Sequence, residues 1–351
     1  MMKAALLIAP QKYEVHEIPM PDCPEDGLIL KVEACGICGS DLRRWKEGQQ
    51  PGIIGLVGGH EIAGVVIAVG KRVTRFTEED RLAIAPDIHC GDCYYCHHGL
   101  FNLCNNLRLI GITPGYQGGF AEYLLVTSEI LQGGILHKIP PSLNPFQAAL
   151  AEPLSSVLAA QEEANVSSGN TVVVMGAGPI GCMHLAIARA NGGRVILSEP
   201  NEIRRQLATR FAPEMIVDPL KQDLVVEVRR LTDGLGADIA ICANPVAETH
   251  AQAVELVRKR GKVILFGGLP KDKPMTSLDG NRIHYNEIMV FGTFSYHPRY
   301  HALALETLQS GTINADQLIT HIYPIEKIDE AFHVSFRGEA LKVMIQMHPL
   351  S

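Results

Sequence analysis

The order of apolar and polar positions divides the chain near residue 170. From Lys3 to about Pro140, short apolar runs are broken by Gly and Pro, and Leu28–Glu33, Ile62–Val69, Leu82–Ala85 and Phe120–Val126 read as strands. This half predicts a compact β-rich unit carrying several loops. From Asn170 the rhythm becomes strand, helix, strand, helix. Apolar strands are expected at Thr171–Met175, Arg194–Ser198, Met215–Val217, Ala237–Cys242, Lys262–Phe266 and Ile288–Phe291, with helices such as Pro179–Ala190, Ile203–Phe211 and Ala247–Arg258 between them. Continuous apolar strands alternating with helices predict a parallel sheet covered on both faces, so the class is α/β. Beyond about Phe294 a helix, strand, helix, strand tail is too short for a third domain and is expected to pack onto one of the other two.

Length and composition narrow the function without naming it. A chain of 351 residues favours two domains, and 46% apolar residues can bury a sizeable core. No run of about 18 apolar residues suggests a membrane span. Met1 to Pro10 lacks the charged region, apolar core and cleavage site of a signal peptide. A net charge of −7 argues against nucleic acid and against anionic lipid as partners. A cytoplasmic protein acting on a small molecule is the expectation.

The strand Thr171–Met175 runs straight into Gly176-Ala177-Gly178-Pro179-Ile180-Gly181 and then a helix. In that setting the glycines have separate tasks: Gly176 makes the tight turn, Gly178 lets a pyrophosphate approach the backbone, and Gly181 lets helix and strand pack closely. The helix N-terminus offers free N–H groups and positive dipole to the phosphates. The second strand ends in Ser198-Glu199, twenty-one residues after Gly178. A carboxylate there can accept from the ribose hydroxyls and repels a 2′-phosphate, which favours NAD over NADP. Arg204 and Arg205 follow closely and pull the other way.

Seven of the nine cysteines lie between Cys23 and Cys104. Without a secretory signal, clustered cysteines read as metal ligands before disulfides. Cys90, Cys93, Cys96 and Cys104 follow C-x2-C-x2-C-x7-C, the spacing of a closed, four-thiolate structural zinc. The other readings are an iron–sulfur cluster, for which nothing else suggests electron transfer, and four free thiols. A second set is dispersed: Cys38 in Cys35-Gly36-Ile37-Cys38-Gly39-Ser40-Asp41, then His60-Glu61, then Glu152. Singly, His60 reads as a core histidine, Glu152 as a helix-terminus charge and Cys38 as a buried apolar residue. Spacing alone does not join them.

Taken together, Cys38-Gly39-Ser40-Asp41, Gly59-His60-Glu61-x-x-Gly64-x5-Gly70, the four-cysteine loop, Gly118-Gly119-Phe120-Ala121-Glu122-Tyr123, the glycine motif and Leu341-Lys342-Val343 resemble the zinc-dependent medium-chain dehydrogenases over essentially the whole chain. Within that family the chain resembles the sorbitol and polyol-phosphate dehydrogenases, because Ala151-Glu152-Pro153-Leu154-Ser155 has Glu where ethanol-type enzymes place a ligand Cys. The resemblance implies a GroES-like β-rich catalytic domain, residues 1–152 and 294–351, interrupted by a Rossmann domain, residues 153–293, with the active site in the cleft between them. It implies two zinc ions per chain. Cys38, His60 and one carboxylate, Glu61 or Glu152, would hold the catalytic one, and the four cysteines the structural one. An ion with an open position acts as a Lewis acid on a substrate hydroxyl. Ser40 would begin a proton relay and Asp41 would orient His60. The activity implied is hydride transfer between NAD(H) and a secondary alcohol of a polyol, polyol phosphate or sugar acid. A homotetramer is expected, with a dimer as the alternative.

Two departures from the sorbitol dehydrogenase pattern bear on substrate. That group usually has His two residues after the Cys-Gly-Ser-Asp aspartate, where this chain has Arg43, followed by Arg44. It also usually has Arg-Tyr after the last Rossmann strand. Here Thr293-Phe294 leads into Ser295-Tyr296, so Tyr296 remains and the Arg is absent. An arginine pair suits a phosphate or carboxylate, and equally suits a solvated surface. Trp45 is placed either as a wall of the substrate pocket or in the core, and Lys342 either at the cofactor pyrophosphate or on the surface. The rival functions are a zinc-free quinone or enoyl reductase, which lacks Cys38, His60-Glu61 and the cysteine loop together, and a zinc-stabilised binding protein without turnover.

Overall fold

A computed structural model describes residues 1–48 and 55–349. The chain opens with an antiparallel hairpin of β1 (Met2–Ala9) and β2 (Lys12–Ile18). The periodicity did not single it out because most of β2 is not buried, so no clean alternation is written there. A larger sheet follows from β3 (Leu28–Gly36), β4 (Glu61–Val69), β5 (Arg81–Ile88), β6 (Arg108–Leu109), β7 (Tyr123–Val126) and β8 (Gly134–Lys138). Every pairing among these is antiparallel: β3 joins β4 and β7, β4 joins β5, and β5 joins β6 and β8. The run expected as a strand from Phe120 becomes strand only at Tyr123. Before that, the Gly119 and Phe120 amides donate to the Gly59 and Gly58 carbonyls at 2.8 and 2.9 Å. Those bonds fix the loop from which His60 emerges.

The second half contributes β9 (Thr171–Met175), β10 (Arg194–Ser198), β11 (Met215–Val217), β12 (Ala237–Cys242), β13 (Val257–Leu265) and β14 (Met289–Gly292). All pair in parallel, in the spatial order β11-β10-β9-β12-β13-β14. This is the doubly wound order whose ligand crevice lies at the carboxyl ends of the strands, where the order reverses beside β9. The helix expected to reach Arg258 ends at Leu256, and β13 starts at Val257 rather than Lys262. Arg258 Nε bonds Asp238 Oδ1 at 2.7 Å and draws that segment onto β12.

The tail adds β15 (Ile319–Pro324) and β16 (Lys342–Gln346), and β16 lies antiparallel to β3, so the last strand completes the first sheet. The chain forms two compact units, one of Met1–Ser155 with Ser295–Ser351 and the other of Ser156–Phe294. In the first unit the core gathers β3, β4 and β5 with the helix Ile328–Arg337. Trp45 belongs there, fully buried with its ring 6.0 Å from Phe332 and 5.4 Å from Phe336. It is a core residue and not a pocket wall. Among the described residues, no helix is long and apolar enough to cross a membrane.

Candidate active site and metal centres

The loop that leaves β5 folds back on itself through a short helix, Tyr94–His97, and a 3-10 turn, Phe101–Leu103. This brings Cys90, Cys93, Cys96 and Cys104 together with their sulfurs all within 4.8 Å of one another. Cys90 and Cys104 lie 3.4 Å apart, Cys93 and Cys96 3.5 Å, Cys93 and Cys104 3.9 Å, and Cys90 and Cys96 4.0 Å. Four sulfurs on a tetrahedron of ~2.3 Å radius stand roughly 3.8 Å apart, so the cluster has the dimensions of a zinc site. Backbone amides already point at the sulfurs: the Cys90 and Asn106 N–H groups donate to Cys104 Sγ at 3.3 and 3.4 Å. Backbone donors at Cys96 and Asn105 lower the Cys93 thiol to about 6, which favours the thiolate that metals bind.

The dispersed set forms around His60. Cys38 stands at the N-terminus of the helix Gly39–Glu47, and its amide donates to Asp41 Oδ2 at 3.0 Å. The other oxygen of Asp41 lies 3.6 Å from His60 Nδ1, while Ser40 Oγ lies 3.5 Å from His60 Nε2. One helical turn therefore presents Cys38, Ser40 and Asp41 to a single imidazole. Burial works against a charged His60, but Asp41, a hydrogen bond to Cys38 and the nearby Glu152 outweigh it and raise its pKa.

The two candidate carboxylates have different surroundings. Glu61 is buried and paired with Lys342, whose Nζ also donates to the Ile37 carbonyl at 3.0 Å. Space for this pair depends on Gly36, since a Cβ there would stand 1.9 Å from Glu61 Oε2 and 2.9 Å from Lys342 Cε. Glu152, in the first turn of the helix Ala151–Ala164, is half-buried and shares the charges of His60 and Lys342 at longer range. Burial pushes its carboxyl up to about 8, helped by Glu61 and Asp87 and opposed by His60 and Lys342. A desolvated carboxylate beside His60 and Cys38 is a donor set that a divalent cation fits. Tyr296 is also buried, and among the described residues its hydroxyl has no hydrogen-bond partner.

At the head of the parallel sheet, Gly176 takes φ +108°, and a Cβ on Gly181 would stand 1.9 Å from the Gly176 carbonyl. Gly178, at the N-terminus of the helix Pro179–Ala190, faces open space: a Cβ there would meet nothing within 4 Å. Glu199 accepts from the Ala177 amide at 2.7 Å and the Asn201 amide at 2.8 Å, tying the end of β10 to this loop. Arg205 is held by Asp218 at 3.0 Å and by the Glu199 and Pro200 carbonyls. Arg204 is half-buried, and among the described residues its Nε has no hydrogen-bond partner.

The chain's sequence and fold are similar to those of known proteins. Residues 24–141 match the alcohol dehydrogenase GroES-like domain, and residues 179–310 match the zinc-binding dehydrogenase domain. The chain is 33% identical to a sorbitol dehydrogenase of Bacillus subtilis, over 98% of this chain and 97% of that one. The chain belongs to the zinc-dependent alcohol dehydrogenase family. A D-arabitol-phosphate dehydrogenase of Enterococcus avium is also 33% identical, over 95% of this chain and 93% of its own. A zinc-binding dehydrogenase from Sinorhizobium meliloti, solved with NADP bound, superposes with a TM-score of 0.88 at 31% identity, covering 99% of both chains. This dehydrogenase is accordingly an enzyme built from a GroES-like and a Rossmann-type domain, and the binding-protein and zinc-free readings fall away.

Two side chains with expected roles in this dehydrogenase are held by partners within the chain. Lys342, expected at a pyrophosphate or on the surface, is 2% exposed and committed to Glu61. Arg44 turns inward, with Nη1 on the Gly111 carbonyl at 2.7 Å and Nη2 3.5 Å from Asp41, so it is not a free anion clamp. Arg43 is half-buried beside it. Asp87 and Ser295, which the motifs did not bring out, stand near the same group: Ser295 Oγ donates to Asp87 Oδ2 at 2.5 Å. The available signal was one acid in the apolar run Leu82–Ile88.

Proposed function

We propose that this dehydrogenase transfers a hydride between NAD(H) and a secondary alcohol of a polyol or polyol derivative, with one catalytic and one structural zinc per chain. The observation that carries the reading is the convergence of Cys38, Ser40 and Asp41 on His60, with the half-buried Glu152 close enough for its charge to act on the same imidazole. Cys38, His60 and Glu152 would hold the catalytic ion. Glu61 is the weaker candidate because Lys342 already neutralises it. When bound, the ion supplies Lewis acidity to the substrate hydroxyl and the nicotinamide accepts the hydride. The chain's own residues do the rest. Asp41 orients His60 through Nδ1, fixing Nε2 as the ligand face. Ser40 Oγ, beside that face, takes the proton that leaves the substrate hydroxyl and passes it outward. Glu199 excludes a 2′-phosphate by charge, which favours NAD(H), and Arg205 cannot offset it while bound to Asp218.

The test is metal content together with NADH formation on polyols, polyol phosphates and sugar acids. About two zinc ions per chain are expected, and Cys38→Ser should lose one of them and all turnover while its melting profile persists. A single zinc in the parent protein, with no alcohol oxidised, would overturn the reading. Running the same assay with NADP tests the cofactor preference.

A further inference from the structure

The proposed reaction uses Cys38, Ser40, Asp41, His60 and Glu152, and leaves Asp87 without a task. Asp87 lies in β5, where every residue from Leu82 to Ile88 is buried, and it is itself 5% exposed. A carboxyl so placed is costly unless it is paired, and the one cation of β5, Arg81, is bonded to the Pro141 and Leu143 carbonyls. Its hydrogen bond comes instead from Ser295 Oγ at 2.5 Å. Ser295 adopts φ +49°, a left-handed conformation unusual for a residue with a side chain, and Tyr296 follows directly. The chain thus accepts local strain to set a hydroxyl on Asp87 and to bury the tyrosine next in sequence.

Three groups share this corner. Asp87 and Glu152 lie close enough to Tyr296 for their charges to act on it, and Asp87 acts on Glu152 as well. The buried Tyr296 hydroxyl has no hydrogen-bond partner among the described residues. Asp87 can accept a hydrogen bond and Tyr296 can donate one, which is the complement of a single alcohol group. The local charge sets the ligand class. Among the described residues, Lys342 is paired with Glu61 and Arg44 lies against Asp41, and the positive charge that reaches Asp87 is that of His60, which Asp41 and Ser40 already engage, so these cations are not free to meet a phosphate or carboxylate.

We propose that Asp87 is a specificity-determining residue that, together with Tyr296, reads a second, uncharged hydroxyl next to the carbinol being oxidised. The substrate class is a vicinal diol or polyol with no anionic group on the neighbouring carbon. The assignment rests on the hydride-transfer reading above. Ser295 is a positioning residue that holds the carboxyl in place.

The test compares a secondary alcohol with its matching vicinal diol, using the zinc-loaded enzyme and its Asp87→Ala, Asp87→Asn and Tyr296→Phe variants. The quantity read is the ratio of kcat/KM for diol over mono-alcohol. A site built to bond a substrate hydroxyl discriminates by large factors, so Asp87→Ala should lower the ratio on the order of 100-fold. Tyr296→Phe, which removes only the hydroxyl, should lower it by about 10-fold. An unchanged ratio in both variants would overturn the proposal, as would a parent enzyme that prefers the diol phosphate. A parallel readout needs no turnover: the rise in melting temperature that the diol gives the zinc- and NADH-loaded protein should vanish in Asp87→Ala. If the parent oxidises no alcohol but the diol shift is present and sensitive to Asp87, the hydride-transfer reading fails and the diol site stands. If neither is seen, both fail.

Discussion

The pair Lys342–Glu61 shows how one contact decides which of two carboxylates is held in a direct ion pair. Burial alone would lower the lysine's pKa, but Glu61 outweighs it and the ammonium stays charged. Both side chains are almost inaccessible, at 2% and 1%. Removing one partner of such a pair leaves the other charge buried alone, at about 3–5 kcal/mol. Lys342→Met should therefore destabilise the protein by an amount in that range in denaturant melts, and Lys342→Met with Glu61→Gln should recover most of the loss. Equal losses in the single and double variants would mean that the lysine acts through packing. This is also where sequence reading stopped short. Glu61 and Glu152 are equivalent as letters, and the residue that separates them lies 281 positions from Glu61, on the last strand. Nothing in local spacing records a pairing set by β16 returning to β3.

At the scale of elements, legibility followed how local the cause is. The parallel strands β9, β10 and β12 were legible because their continuous apolar runs are their burial pattern, and the glycine motif because its constraints are steric and lie within six residues. The hairpin β1–β2 and the early start of β13 were not, since exposed strands and a side-chain anchor leave no periodic mark. The cysteine loop is the extreme case of local cause. It exposes Tyr94 at 67%, Leu100 at 43% and Leu103 at 44%, so apolar burial contributes little to its order. Its four sulfurs should then be its main constraint. Chelation, or Cys93→Ser, is expected to open residues 90–104 to limited proteolysis while the parallel sheet stays intact. A loop equally resistant with and without metal would mean that the hydrogen-bonded thiols alone fix it.

Across the whole molecule, each unit conceals a histidine that must stay neutral to remain folded. His301 is fully buried against His137, with their Nδ1 atoms 3.0 Å apart, and burial, with a smaller contribution from His137, lowers it to about 3. In the other unit His184 is fully buried, bonded to Gln161 at 3.2 Å and edge-on to Phe266, and burial lowers it to about 3 as well. A histidine depressed from 6.5 binds fewer protons folded than unfolded between those two values. Its stabilising contribution is therefore complete above pH 6.5 and is lost progressively as pH falls toward 3. Acid should weaken both units over the same window, before most carboxylates protonate. His301→Gln and His184→Gln cannot take up the proton, so each should flatten the decline between pH 7 and pH 5. A two-unit chain need not unfold in one step, so the decisive measurement is hydrogen exchange resolved by segment. His301→Gln should protect only Met1–Ser155 with Ser295–Ser351, and His184→Gln only Ser156–Phe294. Protection of both units by either variant would mean instead that they open together.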